Sequence, residues 1–307
     1  MATDKLRDPL LLAVWPGMGG VAITAGYYLM AKLGMHLLKE FPAADYFDLE
    51  QIEVKHGLIQ AGRLPRSRLF LWKDPKEEHD LIVFIGEAQP PARGGAFCKK
   101  LIDYAREMGV KKVYTFAAMA TPMRPEHRSR IFGAAIDPES LSRLKRLDVQ
   151  ILESGNINGL NGVLLAMAAC TGMSGGCLLG EIPHVFSQIP FPKASLAVLE
   201  LFTSMVGIQL DFNELRSQAG KVEHTLADFL KRMESSLDDP QQEADEAEPE
   251  EILRPGPGAK EKKRVEALFE EARMDRSKAY TLKQELDRLG LFNEYEDQFL
   301  DLFKDPG

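Results

Sequence analysis

Gly17, Gly19 and Ala22 follow an apolar run ending at Trp15 and spell GxGxxA. At a strand-to-helix turn this spacing lets backbone N–H groups, those of Gly19 and Gly20 included, approach a pyrophosphate at a helix N-terminus. A dinucleotide site also uses an acid about 20 residues further on; Asp48 and Glu50 come later than that. The same glycines serve equally for a tight turn and for close packing of helix on sheet. Glu87, Gln89, Thr121, Asn156 and Asn158 fall in other loops expected at strand ends, so a parallel sheet would gather them along one edge. There Glu87 or Asn156 could address a base or sugar, although a loop glutamate such as Glu87 also serves to accept backbone N–H groups. Arg63, Arg66 and Arg68 form one basic cluster, and Arg124, His127, Arg128 and Arg130 a second. Each suits a phosphate, an acidic protein surface or a solvated face. The sequence holds no HExxH, no GxSxG and no P-loop lysine, and its six histidines lack metal-ligand spacing. Neither a metal nor a cofactor is expected.

These positions need an α/β scaffold to bring them together. Apolar, β-rich runs predict strands at Leu10 to Trp15, Tyr46 to Leu49, Arg68 to Trp72, Leu81 to Ile85, Lys112 to Met119, Ile131 to Ile136 and Val149 to Glu153. Several are apolar on successive residues, as strands covered on both faces must be. Helical periodicity predicts helices at Val21 to Leu38, Gly95 to Met108, Pro138 to Leu147, Leu160 to Cys170, Ala194 to Gly207 and Arg216 to Met233. The alternation describes a layered α/β core over residues 1–235, with a largely parallel or mixed sheet flanked by helices. Residues 236–258 read as an acidic Pro/Gly linker and 259–307 as a small helical extension. In that extension Thr281 with Gln284, and Asn293 with Glu296, have capping spacing, and Gly290 reads as a helix stop. About 48 residues are marginal alone, so these helices are expected to dock on the main body or on a neighbouring subunit.

Across 307 residues the formal charge is −8, and Ser236 to Glu251 alone carries eight acids and no base. The remainder sums to zero, which argues against general affinity for nucleic acid or anionic lipid. Three cysteines, Cys98, Cys170 and Cys177, are too few for a disulfide framework and suit a reducing, cytoplasmic setting. Cys170 and Cys177 read as small apolar fillers in a buried stretch. The uncharged stretch Leu10 to Ala31 is broken by Pro16, Gly17, Gly19 and Gly20. A second, Ser154 to Gly180, carries three asparagines and seven glycines and reads as buried helix and turns, so no membrane span is expected.

Three segments together resemble the family named for the second proteasome assembly chaperone: Trp15 to Gly20 with its following helix, Leu81 to Pro90 (LIVFIGEAQP), and Gly155 to His184. The last runs from a Gly-Asn turn through a buried helix to an LLGE-Ile-Pro exit that contains Glu181. The resemblance covers about Leu10 to Leu215, and the helical tail looks like an extension seen in bacterial relatives. It implies a phosphorylase-like α/β fold, self-association into trimers or related rings, and a protein-binding role. Family members that help build proteasomes commonly use a C-terminal hydrophobic-Tyr-any tripeptide. The sequence given closes on Lys304, Asp305, Pro306 and Gly307, so proteasome contact is not the expectation. The main alternative is a nucleoside- or nucleotide-binding enzyme using the strand-end crevice. The acidic tract reads as a spacer, so a variant lacking Asp238 to Glu251 should capture the same partners in a pull-down as the full chain.

Overall fold

The computed structural model describes residues 6–42, 44–48, 52–55, 57–61, 63–238 and 259–304. Its strands are β1 (Leu10–Val14), β2 (His36–Phe41), β3 (Ile52–Lys55), β4 (Leu58–Ala61), β5 (Ser67–Trp72), β6 (Leu81–Gly86), β7 (Lys112–Thr121), β8 (Ile131–Ala135), β9 (Gln150–Ile151) and β10 (Ser174–Pro183). The helices are α1 (Val21–Lys32), α2 (Gly94–Glu107), α3 (Pro138–Leu144), α4 (Leu160–Cys170), α5 (Pro192–Val206), α6 (Asn213–Asp238), α7 (Ala259–Met274), α8 (Ala279–Arg288) and α9 (Phe292–Asp301).

Eight strands form one sheet in the order β2-β5-β6-β1-β7-β10-β8-β9. Its centre, β6-β1-β7-β10, is parallel, while β5, β2 and β8 join antiparallel. β1 is buried at every residue, because Leu10, Leu12 and Val14 face one core and Leu11 and Ala13 the other. α2 and α4 fill the second core. α1 and α5 line the first, and α6 packs outside α5. This is the expected layered α/β fold with helices added at the C-terminal side. No helix among the described residues is long and apolar enough to cross a membrane.

Several expectations change. The first helix stops at Lys32, and His36 to Leu38 belong to β2, whose residues pair with β5. Tyr46 lies in a short 3-10 turn, Ala44–Tyr46, rather than a strand, and Leu49 is outside the described residues. The strand expected at Val149 to Glu153 is only β9. β10, ten residues long and paired on both sides, was hidden in a glycine-rich stretch that read as helix and turns. Those glycines are where neighbouring backbone comes closest: a side chain on Gly176 would meet the Ala134 carbonyl oxygen. Cys170 is exposed, whereas Cys98 and Cys177 are buried, and burial pushes both buried thiols up to about 12.

The C-terminal helices dock on their own chain. Tyr27 and Tyr28 of α1 meet Phe299 and Tyr280 edge-on, with ring centroids 5.8 and 4.6 Å apart. The Leu37 N–H of edge strand β2 donates to the Phe303 carbonyl at 2.6 Å. Neither expected cap forms. Thr281 lies inside α8 and donates to Glu214, and Glu296 lies inside α9 and accepts from Tyr27. Gly290, with φ +69, does follow the end of α8. The acidic tract 239–258 lies outside the described residues. Because Phe299 and Phe303 are fully buried in the shared core, Phe299→Ala should cost about 3–5 kcal/mol by urea denaturation. A merely appended tail would lose far less.

Candidate functional site

Parallel strands β6, β1, β7 and β10 all deliver their C-terminal ends to one end of the sheet, where Gly17, Gly19, Gly20, Glu87, Gln89, Thr121 and Glu181 lie. β9, which precedes Asn156 and Asn158, runs the opposite way. Two of the three glycines of the first loop have a local reason. Gly19 and Gly20 have φ of +59 and +58, a left-handed backbone that other residues adopt at a cost. The Gly19 N–H donates to the Ser187 carbonyl at 2.7 Å and the Gly20 N–H to the Gly17 carbonyl at 3.0 Å. Of the three glycines considered for a phosphate, Gly19 and Gly20 thus have their N–H groups already engaged by carbonyls. Gly17 stands in open space.

Gln89, Thr121 and Glu181 are equally engaged. Gln89 donates to the Pro16 carbonyl at 3.1 Å and accepts the Leu160 N–H at 2.9 Å, tying the first loop to the start of α4. Glu181 is 1% exposed. It accepts from Thr121 Oγ1 at 2.6 Å, from the Arg130 N–H at 3.1 Å and from Arg130 Nε at 2.7 Å. Burial pushes its carboxyl up, but the Arg130 side chain, Thr121 and the Arg130 N–H together hold it below the ordinary glutamate value. Asn156 and Asn158 are exposed on the loop before α4.

Glu87 sits in an ionic node. It accepts the Arg66 N–H at 2.8 Å, the loop-fixing role weighed from sequence, and pairs with Arg63 and Arg68 at 2.7 Å each. From α9, Asp297 pairs with Arg68 at 2.8 Å, with Arg66 at 3.2 Å and with Arg63, while Glu296 reaches Arg63 at 3.3 Å. Burial, then the Glu87 charge, pushes the Glu296 carboxyl up; burial does the same to Asp297, where the Arg63 hydrogen bond and the arginine charges reverse the shift. The first basic cluster thus faces acids of its own chain. So does the second: Arg124 pairs with Glu234, Arg128 with Asp148 and Arg130 with Glu181.

What this end offers instead is apolar. Met18, Val185, Ile189, Phe229 and Met233 are 42 to 56% exposed. They sit on three joined segments: the Gly19 loop bonds to residues 187 and 191, and Phe229 of α6 packs on Phe186 at 6.1 Å, with Met233 one turn on. At the other side of the same end stands the β3–β4 hairpin, a separate two-stranded sheet. It leaves from this end because Phe41, closing β2, pairs with Ser67, which pairs with Gly86 at the end of β6. Its register sets Val54 opposite Ile59, and Ile52 lies two residues before Val54, so these three share one face. Ile52, Val54, Leu58 and Ile59 are 57 to 72% exposed. Apolar side chains clustered this way on a surface mark an interaction site. None was singled out from sequence, although Ile52 and Val54 alternate before a Gly57 turn and Phe229 and Met233 are spaced i, i+4.

A protein-family model, described as the PAC2 family, matches residues 11–230. The chain belongs to the PAC2 family. An uncharacterized protein of Methanocaldococcus jannaschii is 27% identical over 244 residues, 76% of this chain and 88% of its own. A solved Pyrococcus furiosus structure, described as an archaeal proteasome activator, superposes with a TM-score of 0.62 at 26% identity, covering 76% of this chain and 96% of that one. A Mycobacterium tuberculosis proteasome-assembly chaperone homologue shares the fold with a TM-score of 0.62 at 20% identity, covering 72% and 94%. The PAC2 match ends inside α6, so α7–α9 lie outside it.

The Glu181 carboxylate generates a pH prediction. Its folded pKa lies below the ordinary value, so its stabilisation is present above that value and is lost as pH falls through the folded pKa. Urea midpoints should fall less between pH 7 and pH 3 in Glu181→Gln than in the parent chain, while the variant is less stable at pH 7.

Proposed function

We propose that this PAC2-family chain is a chaperone-like, protein-binding module that docks polypeptide partners on its strand-end apolar surface. The observation that carries the reading is the contrast at that end. Glu87, Gln89, Thr121 and Glu181 are engaged within the chain, whereas Met18, Val185, Ile189, Phe229 and Met233 face solvent. A surface of this composition gains by excluding water against another apolar surface and has little to orient a small polar ligand. Self-association, with a trimer as the form the family resemblance favours, belongs to the same reading. So does a cytoplasmic setting, which suits three free cysteines. The Pyrococcus and mycobacterial relatives are described by their link to proteasomes, which makes a proteasomal ring the first partner to try.

The nucleotide-binding alternative finds no support in this geometry. Its intended phosphate donors, Gly19 and Gly20, already donate to carbonyls, and Glu87 is held by arginines. A thermal-shift panel of nucleosides, nucleotides and phosphate should leave Tm unchanged, whereas a ligand at 100 times its Kd would add about 2.7 kcal/mol.

The docking reading is tested by light scattering at micromolar concentration and by biolayer interferometry against a purified 20S proteasome. The chain should self-associate or bind the ring, and Phe229→Asp with Met233→Glu should weaken that association about tenfold or more while the far-UV circular dichroism spectrum stays that of the parent chain. A strict monomer with no binding, or association untouched by the double variant, overturns it.

A further inference from the structure

The apolar hairpin needs something to aim it. A two-stranded hairpin is marginal by itself, and this one forms its own sheet, with its large apolar side chains facing solvent. Its direction is therefore set at its two roots. The entry root is aromatic: Phe41, 5% exposed, meets Phe84 and Phe97 edge-on at 5.7 and 5.2 Å, and Tyr46 meets Phe97 at 5.3 Å. The exit root, from Arg63 to Arg68, packs Leu64 against the same core but holds no aromatic pair, and its remaining contacts are ionic. Two residues beyond β4, Arg63 pairs with Glu87 at 2.7 Å, with Glu296 at 3.3 Å and with Asp297. Arg66 and Arg68 share Asp297 at 3.2 and 2.8 Å, and Glu40 of β2 reaches Arg68 at 3.4 Å.

Two of the acids at this root, Glu296 and Asp297, come from α9, outside the PAC2 match. Arg63 is the residue nearest the hairpin that both the body and α9 hold. We propose that α9 acts as a clamp on the exit root, with Arg63 and Asp297 as positioning residues that hold the β3–β4 hairpin in a fixed orientation beside the strand-end surface. This rests on the docking reading for its purpose, but the positioning itself is independent of any partner. Guanidinium groups suit the task because one planar fork can engage two carboxylates at once, which a lysine ammonium does as a point charge only. Burial of Glu87, 7% exposed at its side chain, keeps the pairs partly out of water, where they hold direction better than exposed pairs do.

A nitroxide probe tests the clamp in the full chain. In a Cys170→Ser background, which removes the exposed thiol, Leu58→Cys places the label on the hairpin and Met274→Cys places it on α7, at residues 68 and 89% exposed. Arg63→Gln and, separately, Asp297→Asn should each raise the mobile fraction of the Leu58 label at least twofold. The Met274 label should be unchanged in Arg63→Gln, and Arg63→Lys should restore part of the order. If Asp297→Asn also loosens the Met274 label, Arg63→Gln, altered on the hairpin side, decides. An unchanged Leu58 spectrum in Arg63→Gln overturns the proposal, as does equal loosening of both labels there. Failure of both proteasome binding and self-association alongside a mobilised hairpin would remove the docking reading and leave the clamp standing.

Discussion

Burial of both faces of the four-stranded parallel centre is the constraint on which the rest of the molecule depends. β1 lies between β6 and β7 with each of its residues inside one core or the other. That demands helices on both sides, and a parallel connection must return across a face to start the next strand. The strands then finish together, so the loops after β1, β6, β7 and β10 emerge at one end whatever their sequences hold. The candidate site is a product of topology first and of side chains second.

At that end the polar groups consume one another. Gln89 joins the first loop to α4, Glu181 anchors the turn carrying Ser129 and Arg130, and Glu87 gathers three arginines. A carboxylate so engaged is a structural part, and removing Glu87 takes one of its partners from the buried Arg68. The free energy still available for binding therefore lies in apolar area, and polypeptide partners are the class of molecule that supplies area without demanding new polar contacts.

The C-terminal helices extend this logic to a third layer. α1 is apolar nearly all round, with Tyr27, Tyr28, Leu29, Met30 and Ala31 all buried. A helix of that composition requires cover on its outer side as well as against the sheet, and α8 and α9 provide it through Tyr280 and Phe299. The same docking carries Glu296 and Asp297 to the arginines at the start of β5, so an apolar requirement in one place sets an electrostatic arrangement in another.

Composition and periodicity were enough for the layered α/β class, for β1, β6 and β7, for α2, α4 and α5, and for a helical tail in need of a surface. They were enough because strands covered on both faces and helices covered on one carry patterns that local sequence must display. β10 escaped because its glycines are there for close backbone approach, which leaves no hydrophobic alternation to read. β2 escaped because it is an edge strand continuing an apolar helix. The partners of Glu87, Gln89 and Glu181, and the return of α9 onto the first arginine cluster, join residues separated by 19 to 234 positions. Pairings at that distance are chosen by how the layers close, and no local spacing records them. By itself the sequence determined which segments are buried and in what form. Only the tertiary structure decided which charges meet and which apolar side chains are left in water, because both depend on which surfaces packing happens to cover.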